Sequence, residues 1–174
     1  MDEDPAAPLG LEQGKVALLA SNPHWAGLFL HERRRLEQAV GALVVGIEHF
    51  GSTSIPGIRA KPILDILVGL RRFEDGALLV GPMTRLGYDY VGTEMIPDDH
   101  LFGLGTARTH LVHAVEHGGY HWTRDLRFRD ALRADPRLAA EYEALKLDLA
   151  SRFPDSRPAY QTAKQAFIDR IADG

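Results

Sequence analysis

The chain has 174 residues, enough for a single domain, and its 45% apolar and 25% charged residues are typical of a globular protein. Its formal net charge of −4 argues against binding of bulk nucleic acid, because proteins that bind duplexes carry a basic excess. The absence of cysteine excludes disulfides and thiolate metal sites. No apolar run is long enough to cross a membrane, so we expect a cytoplasmic protein.

The N-terminal part of the chain predicts a tail followed by a helix. Residues 1–20 hold prolines, glycines and acids without periodicity, which indicates a flexible tail ahead of a single domain over 21–174. Asn22 and Pro23 are typical of a helix start, and apolar residues at helical spacing continue to about Gly41.

The middle of the chain predicts a sheet. The run over 63–70 is apolar on both sides, which predicts a strand in the centre of the sheet. Further strands are predicted over 42–50, 88–94 and 111–115 and around Leu101, with a short helix over 74–86.

Helices complete the chain. Residues 123–150 show helical spacing that is interrupted only at Asp135 and Pro136, and a last helix is predicted over 157–171. A helix, a strand-rich middle and then three helices predict an α+β domain, in which a mixed β-sheet with flanking helices carries a C-terminal helical cap.

The loop after the strand over 42–50 is the first candidate for chemistry. Gly51 allows the backbone to approach a ligand closely, and Ser52, Thr53 and Ser54 add three hydroxyls. Such a turn presents backbone N–H groups to a phosphate or another anion. The same residues also fit an ordinary tight turn.

Asp65 strengthens the first interpretation. It lies inside the otherwise apolar run over 63–70, where an unpaired carboxylate is costly. We therefore expect it to be bound to a metal, hydrogen-bonded, or paired with Lys61 or Arg59. A hydroxyl-rich loop followed by an acid on the next strand is the arrangement that holds a nucleotide phosphate against a divalent cation.

These residues belong to a longer motif, through which the chain resembles the GrpB family. The motif consists of Glu48, His49, Gly51, Ser52, Thr53, Ser54, Pro56, Gly57, Lys61, Pro62 and Asp65. The resemblance extends to Pro23, Trp25, Phe128, Arg129, Asp130, Leu132, Arg133, Tyr142, Leu145, Lys146, Tyr160 and Lys164. It therefore covers nearly the whole chain from about residue 20.

The resemblance implies a nucleotidyltransferase-like fold of the polymerase-beta type, whose members typically transfer a nucleoside monophosphate with divalent metals. Those enzymes place a pair of carboxylates at alternate positions of the strand after the Gly-Ser loop. Here the first maps to Asp65, as catalytic acid and metal ligand, and the second position is Leu67. The missing ligand weakens two-metal catalysis in its usual form.

Two histidines are candidate metal ligands beside Asp65, with Mg²⁺ or Mn²⁺ as the expected cofactor. Glu48 and His49 face opposite sides of a strand, and we favour His49 as the residue that lines the pocket. Its alternative role is to fix the loop through a hydrogen bond. His113 either completes a site with Asp65 or is a core histidine.

Basic side chains complete the predicted site. The expected phosphate-binding cations are Lys61 on the loop and Arg129, Lys146 and Lys164 on the later helices, with Arg157 beside them. The alternative is internal ion pairing with Asp130 and Asp148. Tyr160 either stacks on a nucleobase or packs in the core.

Two functions fit these residues. The first is a metal-dependent nucleotidyltransferase or nucleotide-binding protein, whose ligand is a nucleoside triphosphate or another phosphorylated small molecule. The alternative is a non-catalytic module on a degenerate nucleotidyltransferase fold, which binds a phosphorylated ligand or a protein partner. Leu67 separates them, because an acid there would favour catalysis and leucine favours binding. A hydrolase that uses Asp65 and His113 lacks a nucleophile signature.

Overall fold

A mixed five-stranded sheet lies at the centre of the computed structural model, which describes residues 9–174; positions 1–8 of the predicted tail lie outside the described residues. The strands are β1 Val44–Phe50, β2 Leu64–Leu70, β3 Tyr88–Gly92, β4 His100–Leu104 and β5 His110–Glu116. Their order is β1-β2-β5-β4-β3; β2 pairs with β5 in parallel, and the other pairs are antiparallel. The predicted α+β class is confirmed.

Helices cover both faces of this sheet. They are α1 His24–Val40, α2 Val80–Arg85, α3 Tyr120–Ala134, α4 Pro136–Arg152 and α5 Arg157–Ala172. Short 3₁₀ turns lie at Gly41–Leu43, Ser52–Ser54 and Phe73–Leu79. Within the described residues, no helix has the length and apolar character needed to cross a membrane.

The break between α3 and α4 follows from the local sequence. The Asp135 side chain accepts hydrogen bonds from the backbone N–H groups of Arg137 and Leu138, so it caps α4. Pro136 occupies the first turn, where its missing N–H is harmless. The predicted interruption of the long helical stretch is confirmed.

One face of the sheet, which we call the core face, packs against α1 and α2. Its largest cluster includes Phe29 and Leu36 of α1, Met83 of α2, and Ile66 and Val68 of β2. On β2, buried apolar side chains recur at every second position, as expected for a sheet face that is buried under helices. The core face therefore supplies much of the hydrophobic stabilisation.

A polar network inside the core face is fully partnered. Glu32 of α1, only 2% exposed, accepts a hydrogen bond from the Tyr88 hydroxyl at 2.8 Å and forms an ion pair with Arg35 at 2.8 Å. Buried polar groups that are satisfied in this way avoid a desolvation penalty.

The opposite face, which we call the cap face, packs against α3, α4 and α5. At one end of it, Trp122 of α3 lies directly on Gly46 and Gly69, which pair across β1 and β2. A Cβ atom at Gly69 would come within 3.0 Å of the indole. Glycine at these positions therefore lets α3 approach the sheet.

Residues 9–19 do not behave as the predicted flexible tail. Leu11 forms an isolated bridge with Arg108, and Leu19 forms another with Ala60. Val16 is buried and packs against Leu149 and Tyr160. The prediction is wrong for this segment because these scattered apolar side chains pack against the domain without forming a helix or strand that periodicity could reveal. We call residues 9–19 the strap.

Candidate anion-binding site

Gly51 brings the Gly-Ser loop against Asp65. Its backbone has φ +71°, a left-handed conformation that favours glycine. A Cβ atom there would lie 2.4 Å from an oxygen of the Asp65 carboxylate. The loop and the acid are therefore in contact, as the sequence predicted, and both the backbone conformation and the close approach require glycine.

Hydrogen bonds fix the three hydroxyls of the loop. Ser52 bonds to the Tyr142 hydroxyl of α4, Thr53 lies 2.8 Å from the His49 ring, and Ser54 donates to the Gly51 carbonyl at 2.5 Å. Thr53 and Ser54 are buried, whereas Ser52 is partly exposed. Of the three, Ser52 is therefore the one placed to contact a ligand beside Asp65.

Three lysines converge at this loop. Lys61 enters from the segment before β2, Lys146 from α4 and Lys164 from α5, and each of the three ammonium groups repels at least one of the others. Aromatic rings lie beneath them: Lys61 and Lys164 are 5.4 and 4.9 Å from the centre of the Tyr160 ring. The Lys146 ammonium is 4.9 Å from the Tyr142 ring and donates to the Arg59 carbonyl.

Burial makes these charges costly. It lowers the pKa of Lys61 and of Lys146 to about 7, and repulsion by Lys164 adds to both shifts. Burial also lowers the pKa of Lys164 to about 8, although the Asp65 carboxylate opposes that shift. The Glu143 carboxylate opposes the shift of Lys146, but two carboxylates face three lysines, so a bound anion would favour the charged forms of the lysines.

Asp65 and Arg157 complete the charged lining. Asp65 acts electrostatically on Arg157 as well as on Lys61 and Lys164, but it forms no ion pair within 4 Å with any residue of the described range 9–174. Arg157 donates to the carbonyls of Glu12 and Lys15, so it ties the strap to α5 beside the site.

His49 lies on the other side of the sheet from Asp65. Asp65 pairs with Phe50 across the ladder, whereas His49 pairs with Ile66, which belongs to the core face. The His49 ring stacks on Phe29 of α1 at 4.7 Å, and burial lowers its pKa to about 4. The expectation that His49 lines the pocket as a metal ligand is therefore not met; instead it fixes the loop through Thr53.

His113 shares the cap face with Asp65. It pairs with Leu67 across β2 and β5, and its Nδ1 lies 2.6 Å from a carboxylate oxygen of the buried Asp99. Burial opposes protonation, but the bond to Asp99 raises the pKa of His113 overall. Leu67 is fully buried, and the described residues contain no group of three or more acids and histidines able to hold a metal ion.

Arg129 forms internal ion pairs, which was the alternative to phosphate binding. Its guanidinium binds Glu48 at 2.8 Å, Asp130 at 2.8 Å and the His49 carbonyl at 3.0 Å. Of the two neighbours, Glu48 and not His49 therefore lies on the cap face. Arg129 braces the end of β1 and is already committed to these partners, so a direct contact with phosphate requires it to release them.

Two residues of the site were missed from the sequence. Tyr142 was noted only as part of the family pattern, and its bond to Ser52 depends on α4 crossing the loop. Asp99 lies in the connection before β4 and belongs to no recognisable motif. The next residue, His100, begins β4, a strand that the sequence indicated only weakly. A search for buried acids beside strand histidines would have marked it.

Two cavities of about 310 Å³ each lie elsewhere, on either side of Tyr120 at the start of α3. Arg124 and Arg127, which line the first, are bound to Asp169 and to the Ala172 carbonyl. Arg124 is therefore paired with a carboxylate, and Arg127 is held by a backbone carbonyl.

Known proteins resemble this chain along almost its whole length. Residues 15–173 match the family described as "GrpB protein". The glutamate-rich protein GrpB of Alkalihalophilus pseudofirmus is 37% identical over 169 residues, which cover 94% of this chain and 97% of that protein.

Solved structures resemble its fold. The crystal structure of the conserved protein GrpB from Enterococcus faecalis matches with a TM-score of 0.83 at 35% identity, over 90% of this chain and 95% of that chain. The structure of Cid1 in complex with its short product ApU matches with a TM-score of 0.53 at 12% identity, over 84% and 46% of the two chains. The nucleotidyltransferase-like fold is thereby confirmed, and the chain belongs to the GrpB family.

Proposed function

We propose that this protein binds a nucleoside triphosphate or another phosphorylated small molecule between the cap face and α4–α5, in the region where Lys61, Lys146 and Lys164 converge, which we call the cleft. One observation carries the proposal: the chain has four lysines, and three of them, Lys61, Lys146 and Lys164, converge beside Asp65 and the Gly-Ser loop. The fourth, Lys15, is exposed and paired with Asp155. The remaining positive charge of the chain is carried by arginine.

Elementary electrostatics supports this ligand class. Like charges at close range in a partly buried cleft repel and destabilise the fold, unless an anion neutralises them. Lysine is a compact point charge that suits a phosphate oxygen, and several such charges fit a polyphosphate. Binding would raise the pKa values of the three lysines toward their ordinary range.

A divalent cation could be held at this site by one carboxylate together with the phosphates of the ligand. Mg²⁺ is commonly held by one or two carboxylates together with substrate phosphates, and Asp65 is such a carboxylate. When bound, Mg²⁺ or Mn²⁺ would supply neutralisation of phosphate charge. Asp65 would hold it, Ser52 and the lysines would orient the phosphates, and the buried Leu67 offers no second ligand. The proposal therefore favours binding over two-metal transfer.

Titration calorimetry tests the proposal. ATP, GTP, CTP and UTP are added to the protein with and without Mg²⁺ or Mn²⁺, and the expected result is saturable binding of at least one of them. Lys164→Met should weaken binding about tenfold or more, because a charge-assisted hydrogen bond is lost. Lys15→Met, which removes the exposed lysine, should leave affinity unchanged. Asp65→Asn should abolish any dependence of affinity on the metal.

Two results would contradict this assignment. If no nucleotide binds under any of these conditions, the cleft does not serve this ligand class. If Lys164→Met and Lys15→Met bind equally well, the ligand lies elsewhere. Release of pyrophosphate from a bound triphosphate, lost in Asp65→Asn, would instead support nucleotidyl transfer, the chemistry that the resemblance to polymerase-beta-type enzymes implied.

A further inference from the structure

The Tyr160 hydroxyl is the observation on which a more specific assignment rests. Tyr160 of α5 is fully buried, and its hydroxyl has no hydrogen-bond partner among the described residues. A buried polar group without a partner is costly, and phenylalanine would fill the same volume without that cost. The hydroxyl therefore needs a partner that the described part of the chain does not supply.

The surroundings of Tyr160 place it in the lysine cleft. Its phenol interacts electrostatically with that of Tyr142, whose hydroxyl bonds to Ser52 and is also affected by the Asp65 charge. The Lys61 and Lys164 ammonium groups lie 5.4 and 4.9 Å from the centre of its ring. Tyr160 therefore lies next to Tyr142 and to two of the three lysines.

We propose that the Tyr160 hydroxyl, Lys61 and Lys164 together form a subsite for one phosphoryl group, so that the ligand is recognised through its phosphates, independently of the nucleobase. This assignment rests on the proposed function and adds to it the chemical group that is recognised beside Tyr160. A phosphoryl oxygen accepts the hydrogen bond from Tyr160, and the two ammonium groups balance its charge.

Tyr88 provides a matched comparison inside the same molecule. It is also buried, at 2% exposure, but its hydroxyl donates to Glu32 at 2.8 Å. Removal of the Tyr88 hydroxyl takes away an existing bond, whereas removal of the Tyr160 hydroxyl takes away none among the described residues. The two tyrosines should therefore respond in opposite ways to substitution by phenylalanine.

The experiment measures ligand-free stability and affinity together. Wild type, Tyr160→Phe and Tyr88→Phe are unfolded thermally without ligand, and each is titrated with inorganic phosphate, pyrophosphate and tripolyphosphate. We expect the Tyr160→Phe protein to unfold at the same or a higher temperature than wild type and to bind pyrophosphate about tenfold more weakly or worse. Tyr88→Phe should unfold at a lower temperature and keep wild-type affinity.

The outcomes separate this inference from the proposed function. If wild type binds nucleoside triphosphates but no inorganic polyphosphate, or if Tyr160→Phe binds pyrophosphate as wild type does, the subsite is wrong and the proposed function stands. If the protein binds neither nucleotides nor inorganic phosphates, both fail. A drop in the unfolding temperature of ligand-free Tyr160→Phe would show that the hydroxyl has a structural partner, which also overturns the assignment.

Discussion

The acids on the two faces of the sheet, Glu32 and Asp65, differ in how they are partnered. On the core face, the buried Glu32 is bonded to both Tyr88 and Arg35. On the cap face, Asp65 has no ion-pair partner within the described residues, and three lysines repel one another beside it. Both faces belong to the same strands, so this difference cannot arise from the backbone.

The difference shows where a ligand is needed. A satisfied polar network contributes to a unique folded state and requires nothing further. An unsatisfied one reduces stability, and it persists in proteins chiefly at functional sites. Substitutions on the core face should therefore change stability and leave affinity unchanged, whereas substitutions on the cap face should change both or affinity alone.

Truncation of the core face should have the largest effect. Leu36 of α1 is completely buried, so Leu36→Ala should lower the free energy of unfolding by about 3 kcal/mol through lost burial and a residual cavity. Urea denaturation measures this loss. Leu147→Ala, at a position 43% exposed, serves as the control and should change it by less than about 0.5 kcal/mol. A change in nucleotide affinity of folded Leu36→Ala would break the separation between the faces.

A side chain on Gly51 should have the next largest effect. Gly51→Ala should cost about 2 kcal/mol or more, because its Cβ meets Asp65 in a left-handed backbone conformation. Gly57 also has a positive φ, but its Cβ would enter open space, so Gly57→Ala should cost only about 1 kcal/mol. Denaturation of both variants isolates the contact with Asp65, and equal losses would argue against that contact.

The lysines predict a pH dependence of stability. The pKa values of the three lysines are about 7 to 8 in the folded protein and 10.5 in the unfolded chain. At a pH between these values, the lysines are protonated in the unfolded chain and largely deprotonated in the folded protein. Stability should therefore rise with pH, by about 1 kcal/mol or more from about pH 7 to pH 9 in the ligand-free protein. Lys164→Met should flatten this rise and Lys15→Met should not. A phosphate ligand should also flatten it.

The pair between Arg129 and Glu48 should have the smallest effect. Glu48 is 43% exposed in its side chain, so the loss of its charge in Glu48→Gln should cost about 0.5 kcal/mol. Glu37→Gln, in the exposed pair with Arg33, provides the comparison. If Glu48→Gln instead strengthens nucleotide binding, the released Arg129 contributes to the cleft, and the boundary of the site moves toward β1.

The loop and the acid of the site could be predicted from the sequence because they lie in one segment. The pattern of a strand, a glycine turn and a second strand predicts that Gly51 and Asp65 lie close together, and in the structure they are in contact. The lysines of α4 and α5 came from the family pattern. Their convergence is observed, and their role as phosphate ligands stays a prediction.

The errors arose where distant packing decides the outcome. Sequence alternation shows that Glu48 and His49 point to opposite faces, but the ladder pairing of Phe50 with Asp65 decides which face is which. The strap was missed because its burial depends on residues far along the chain, such as Arg108 and Tyr160. Neither relation leaves a local pattern.

Because Trp122 rests on a pair of glycines between α3 and the sheet, its fluorescence can report on the position of the cap. The chain has two tryptophans, and they lie on opposite faces: Trp25 is enclosed with core-face residues, and Trp122 rests on Gly46 and Gly69 beneath the cap. Movement of α3 against the sheet would change the surroundings of Trp122 and leave Trp25 in place. A Trp25→Phe variant would therefore carry one intrinsic fluorophore, whose emission follows the cap as ligand binds.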